Sequence, residues 1–109
     1  MDEREFFITL PDGTTIRVRL YKERGRILSF VAQLEAYLDD DWTPISRYDT
    51  AHGFVHRDDL RPDGAQIKSP PMSFRDNEEA LNYAVTDLRT NSQFYLERYL
   101  QWQRQLRNK

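Results

Sequence analysis

RILSFVAQLEAYL, residues 26–38, is the stretch on which the fold turns. Its Ala, Leu, Gln and Glu residues are good helix formers, so a helix competes for it. At a period of two, however, Leu28, Phe30, Ala32, Leu34, Ala36 and Leu38 form one apolar row. Ser29, Gln33 and Glu35 stand on the opposite row, mixed with Ile27, Val31 and Tyr37. Alternation sustained over this length, starting just after the turn residue Gly25, predicts a long strand with one buried face.

The flanks extend the same reading. Towards the N-terminus, Thr15 to Tyr21 alternates, with Ile16, Val18 and Leu20 on one face and Arg17, Arg19 and Tyr21 on the other. Pro11-Asp12-Gly13-Thr14 precedes it, and Asp-Gly between two β-prone runs predicts a hairpin to a strand at Glu5–Leu10. Towards the C-terminus, Asp39-Asp40-Asp41 is an acidic break. Trp42 to Thr50 reads as a strand disturbed at Pro44, and Gly53 to Leu60 as the next. Arg61-Pro62-Asp63-Gly64 has Pro and Gly where a tight turn needs them, and Ala65 to Lys68 returns as a short edge strand. Ser69-Pro70-Pro71 cannot sit inside a sheet and ends it.

Past the prolines the period changes. Asp76 is a good N-cap with Glu79 three residues on, a capping-box pattern. Leu81, Ala84, Leu88, Tyr95, Tyr99 and Trp102 then recur at helical spacing, with Asn91-Ser92 either a polar notch or a break between two helices. The expected fold is therefore α+β. An antiparallel sheet of five to six strands within residues 5–68 is packed by one long C-terminal helix, about residues 77–105, as one domain spanning residues 1–109.

Composition narrows the function. Net charge is −2 over 109 residues, so no global basic field draws nucleic acid, although 16 Lys and Arg leave room for a local one. Two Trp, six Tyr and six Phe are too many for a disordered chain. Cysteine is absent, which removes disulfides, thiolate zinc sites and thiol nucleophiles. There is no signal-peptide pattern and no apolar run of bilayer length, so a cytoplasmic protein with no membrane partner is expected. A Walker phosphate loop, a dinucleotide-binding glycine fingerprint and a nucleophile elbow are also lacking, and no cofactor is expected.

Chemistry is concentrated between Arg47 and Asp59, where both histidines fall, each flanked by Asp and Arg. One reading makes His52 and His56 the general acid and base of a metal-independent RNA cleavage. Asp49 would orient an imidazole, while Arg47, Arg57 or Lys68 would stabilise phosphorane charge. A second has the histidines share a metal with Asp58 or Asp59. On a strand, though, positions four apart lie ~13 Å apart, so the site residues assigned here include no metal ligand. A third has these groups satisfy one another where strands turn, with Asp49 capping a turn.

The polar row of the sheet adds a surface. Arg17, Arg19, Gln33, Glu35, Arg47 and Asp49 are all placed on the face away from the helix, and Tyr21, Tyr37 and Tyr48 are the aromatics on which RNA bases could stack. Alternatively a partner protein, or a second copy of the chain, covers that face.

The string RYDTAHGFVHRD (residues 47–58), with Gly64, Lys68 and the helix from Glu79 to Leu88, resembles a family of small uncharacterised prokaryotic proteins. That resemblance implies a fold and a shared site without a reaction. More distantly, the chain resembles TumE-type toxins of toxin–antitoxin pairs, which place an Arg-Tyr-Asp strand before histidines. Those toxins carry a dense histidine cluster where this chain has only two. The reading carried forward is an RNA-directed, toxin-like ribonuclease or nucleic-acid-associated protein. His52, His56 and Asp49 are its catalytic candidates, and Arg47, Arg57, Lys68 and Tyr48 its substrate contacts. The alternative is a non-catalytic interaction module or homodimer acting through the open sheet face and the C-terminal helix.

Overall fold

The structure, a computed structural model, describes residues 2–51 and 53–108. The stretch 26–38 is a strand along its whole length, as its alternation predicts. Six strands follow in chain order: β1 (Asp2–Thr9), β2 (Thr15–Glu23), β3 (Arg26–Leu38), β4 (Asp41–Asp49), β5 (His56–Leu60) and β6 (Gln66–Lys68). Each pairs antiparallel with the next, so the sheet is a simple meander in the order β1-β2-β3-β4-β5-β6. Two of its turns use left-handed backbone at both central residues, Arg24-Gly25 and Asp39-Asp40, the geometry that matches strand twist. At Pro11–Thr14, Gly13 takes positive φ and Asp12 does not, and Leu10 closes the loop by donating its N–H to Thr14.

The disturbance expected at Pro44 is a register shift. Leu34 pairs with Ser46 while Glu35 pairs with Pro44, so Ile45 is the extra residue. A proline has no N–H to give a ladder, and a bulge accommodates it.

One correction concerns the helix. Two helices stand where one long helix is expected: α1 (Asn77–Thr90) and α2 (Ser92–Arg107). Asn91 leaves the helical path at φ −111° and ψ 18°. Its side chain bonds back to Asp87 Oδ1 at 2.7 Å, while the Ser92 hydroxyl reaches the β1–β2 turn and donates to Asp12 Oδ2 at 2.6 Å. The Ser92 contact ties the start of α2 to the β1–β2 turn, while the Asn91 N–H still makes its bond to the Asp87 carbonyl as the last of α1. The N-cap is where the sequence places it. Glu79 N–H donates to Asp76 Oδ1 at 2.9 Å, and the Glu79 carboxylate accepts from the N–H of Arg75 rather than of Asp76.

The core lies between the helices and one face of the sheet. Ile16 and Val18 of β2, Ala32 and Leu34 of β3, and Ala80, Ala84 and Leu88 of α1 are all fully buried there. Small residues at Ala32, Ala80 and Ala84 let α1 approach the sheet closely. Tyr95 and Tyr99 carry the core along α2. The helices cover the middle of the sheet, and β1 is exposed along almost its whole length. No helix among the described residues is long and apolar enough to cross a membrane.

Candidate functional site

β4 and β5 pair Ser46 with Asp59, Arg47 with Asp58, Tyr48 with Arg57 and Asp49 with His56. Antiparallel partners point to the same side, and neighbours along a strand to opposite sides. The patch is thereby divided. Ser46, Tyr48, Arg57 and Asp59 turn towards the helices, whereas Arg47, Asp49, His56 and Asp58 turn to the open face.

On the helix side the polar groups close on one another. Asp59 accepts from the Ser46 hydroxyl at 2.8 Å, from Arg57 Nε at 3.0 Å and from Arg98 of α2 at 2.8 Å. Asp87 of α1 accepts from the Tyr48 hydroxyl at 2.5 Å and the Tyr95 hydroxyl at 2.6 Å. The Arg57 guanidinium lies over both phenol rings, 5.9 Å from the Tyr48 centroid and 5.3 Å from that of Tyr95. Burial pushes both phenols up from their ordinary pKa, and the adjacent Asp87 carboxylate adds to the effect. For Arg57, burial acts to lower the pKa, but the contact with Tyr48 and the charge of Asp59 outweigh it and hold the guanidinium charged. Tyr48 is fully buried, so its ring is no stacking surface, and Arg57 is engaged inside the fold.

The open face has another character. Cross-strand register produces a row Phe7, Arg17, Gln33, Arg47, Asp58 and Lys68, one residue from each strand. Beside it runs a second row, Glu5, Arg19, Val31, Asp49 and His56. All six residues expected on this face lie there, as do Tyr21 and Tyr37. Arg17 and Arg19 are already occupied, both contacting Glu5 at 3.3 and 3.0 Å. The Arg19 hydrogen bond is the main reason that the Glu5 carboxyl is held below its usual range. Arg47 differs. Half-buried in the middle of the sheet, it makes no ion pair among the described residues, and its buried Nε has no hydrogen-bond partner there.

Next to Arg47 sits the imidazole of His56, 4% exposed. Its Nε2 is 3.5 Å from Asp49 Oδ1 and 3.3 Å from Asp58 Oδ2. Asp49 also caps the turn after β4, accepting from the N–H of Ala51 at 3.1 Å. Lys68 Nζ, on a largely exposed side chain, is 3.2 Å from Asp58 Oδ1. The ring of Phe54 lies against His56, with centroids 5.6 Å apart. The chain beyond β6 is held alongside β5, with Met72 donating its N–H to Val55 and Ser69 donating to Arg57. A cavity of about 270 Å³ between Phe54, His56, Lys68, Ser69 and Pro71 leads from solvent to the imidazole.

Of the residues assigned from sequence, Asp49, His56, Arg47 and Lys68 are thus gathered on the open face, and Arg57 and Tyr48 lie on the other. His52 lies outside the described residues. Sequence reasoning missed Asp87, Tyr95 and Arg98, which complete the helix-side network. Their only local signal is the spacing of Asp87, Asn91 and Tyr95 along one side of the helical segment.

Fold and site together define an α+β protein with one sheet, one face covered by helices and one open polar face that presents an imidazole between two carboxylates. The chain belongs to the family described as Domain of unknown function (DUF7718), whose family model matches residues 1–105. No curated protein and no solved structure matches it.

Proposed function

We propose that the protein is RNA-directed and works through the open face of β3–β6, with a toxin-like ribonuclease as the enzymatic form of that role. The observation that carries this reading is Arg47, a half-buried guanidinium with no ion pair among the described residues, beside the imidazole and two carboxylates of the site. The buried, unpaired Nε of this half-buried guanidinium leaves hydrogen-bonding and charge capacity unused, and a phosphate on this face would take it up. Arg47 and Lys68 belong to one cross-strand row two strands apart, ~9.6 Å at ordinary strand spacing. That row can follow a phosphate backbone, and His56 and Asp49 stand beside it where a scissile phosphate would rest. The exposed ring of Tyr37 offers a base-stacking surface on the same face.

The test is binding and cleavage of a short single-stranded RNA followed across a range of salt. Arg47→Ala is expected to weaken binding and to reduce the slope of log affinity against log salt by about 0.7, the share of one phosphate contact on a single strand. His56→Ala is expected to abolish any cleavage while leaving RNA binding through Arg47 and Lys68 close to wild type, and to lower the thermal midpoint, because it removes a buried imidazole from between Asp49 and Asp58. Wild-type affinity in Arg47→Ala would overturn the reading.

A second reading, self-association, is favoured by β1. It is an edge strand with Phe6 and Phe7 43% and 58% exposed, a template for pairing with another chain. Sedimentation over a range of concentrations separates the two, because only this second reading requires a dimer.

A further inference from the structure

We propose that Asp49, His56 and Asp58 form a binding site for a divalent cation of the first transition row, with His56 Nε2 and one oxygen of each carboxylate as ligands. The inference goes beyond the RNA reading, and it gives His56 the role of ligand at the centre of that face.

Geometry supplies the first argument. The three ligand atoms lie within 4.8 Å of one another, and the two edges from Nε2 are 3.5 and 3.3 Å. Atoms bound to one ion at ~2.0–2.2 Å stand ~3–3.5 Å apart in a tetrahedral or octahedral shell. The two edges from Nε2 therefore match a shared ion, and the edge between the carboxylates is no longer than 4.8 Å.

Chemistry supplies the second. An imidazole Nε2 has one proton to give or one lone pair, and here two carboxylate oxygens converge on it. A single N–H cannot point at both, whereas a cation between the three atoms satisfies all of them. The carboxylates belong to residues that are 8% and 3% exposed, so their mutual repulsion is poorly screened and calls for positive charge at that point. Lys68 supplies some, but its ammonium sits on the far oxygen of Asp58, Oδ1, and its side chain is 59% exposed. It can leave. One nitrogen and two oxygen donors suit Mn²⁺ or Zn²⁺ better than Ca²⁺ or Mg²⁺, which favour shells built from oxygen alone.

Access is the third argument. The cavity beside Phe54 and Pro71 is lined by His56 and by Lys68, the partner of Asp58, and so brings solvent up to the edge of the cluster. Asp49 is further oriented by the Ala51 N–H, the kind of support that outer hydrogen bonds give to ligating carboxylates. The set draws on β4 and β5 at once, joining positions 49, 56 and 58, and so avoids the long reach along a single strand.

The experiment is calorimetric titration of the full chain with MnCl₂ and with ZnCl₂, paired with amide NMR during Mn²⁺ addition. One-to-one binding is expected, with paramagnetic broadening centred on Asp49, His56 and Asp58. Asp58→Asn should weaken binding by roughly 10–100-fold or more. Lys68→Ala should tighten it, because the competing ammonium is gone, and this exposed position leaves the fold intact even if Asp58→Asn does not. Broadening centred on the exposed Asp39–Asp41 run, unchanged affinity in Lys68→Ala, or no saturable binding would overturn the site. Failure of RNA binding with intact Mn²⁺ binding overturns the RNA reading and supports this site, and the reverse result overturns this site alone.

Discussion

The two faces of β4–β5 carry nearly the same residue types and treat them in opposite ways. Towards the helices, Asp59 is gripped by Ser46, Arg57 and Arg98, drawn from three different elements, and Asp87 by two tyrosines. Asp59 and Asp87 there each meet several anchored partners, although Arg98 Nε is left without a hydrogen-bond partner among the described residues. On the open face, Asp58 is held by a lysine on an exposed stem and by a shared imidazole nitrogen, while Arg47 has no ion pair among the described residues. Carboxylates paired on several sides have little capacity left for a ligand. The same groups less fully paired can take one, and this asymmetry is the ground on which the open face is proposed as the working surface.

The largest expected effect lies on the closed side. Asp59→Ala removes the acceptor of two arginines and a serine at a site where the carboxylate side chain is 5% exposed. Breaking a buried charge network of this kind costs about 3–5 kcal/mol, to be read from urea unfolding. A loss below about 1 kcal/mol would show that the network is not holding β5 to α2.

Next in size is an alkaline transition. Tyr48 and Tyr95 are buried phenols beside Asp87, and their pKa values are raised above the unfolded value of 10.0. Above about pH 10 the unfolded state releases phenolic protons that the folded state retains, so stability falls as pH rises through that window. Below it, the contribution is present in full. The double variant Tyr48→Phe/Tyr95→Phe should show a shallower decline of the unfolding midpoint above pH 10. An identical slope would remove these two phenols from the account.

The smallest effect belongs to the open side. Lys68→Ala deletes an exposed ion pair and should change stability by no more than about 1 kcal/mol, as measured by the same urea titration. A cost approaching that of Asp59→Ala would erase the distinction between the faces.

β2 and most of β3 are legible because their apolar residues alternate cleanly, and a period of two states which side is inside; at the start of β3 a register shift turns Ile27 to the core and leaves Leu28, expected in the buried row, 45% exposed. Residues 26–38 are the clearest case, and Asp76 marked the helix start as plainly. β5 was harder. His56, Arg57, Asp58, Asp59 and Leu60 place polar groups on both faces, so alternation carries no inside or outside signal. Arg57 and Tyr48 were accordingly grouped with Arg47 and Asp49, although a single residue of offset turns them to the opposite side. Asp87 and Arg98 are beyond reach for another reason: their partners on the sheet lie 30 to 39 positions away and are joined only by tertiary packing. The helix break was visible as Asn91-Ser92, but its cause, the reach of Ser92 to Asp12, spans 80 residues.

The central claim is that the open face does the binding while the helix-side network only holds the fold. The most direct test is a chemical-shift map of the chain titrated with a short single-stranded RNA. The account predicts perturbations concentrated at Arg47, Asp49, His56, Asp58 and Lys68, with Arg57, Asp59, Asp87 and Arg98 quiet. Perturbations centred on the helices or on β1, or none at saturating RNA, would contradict it.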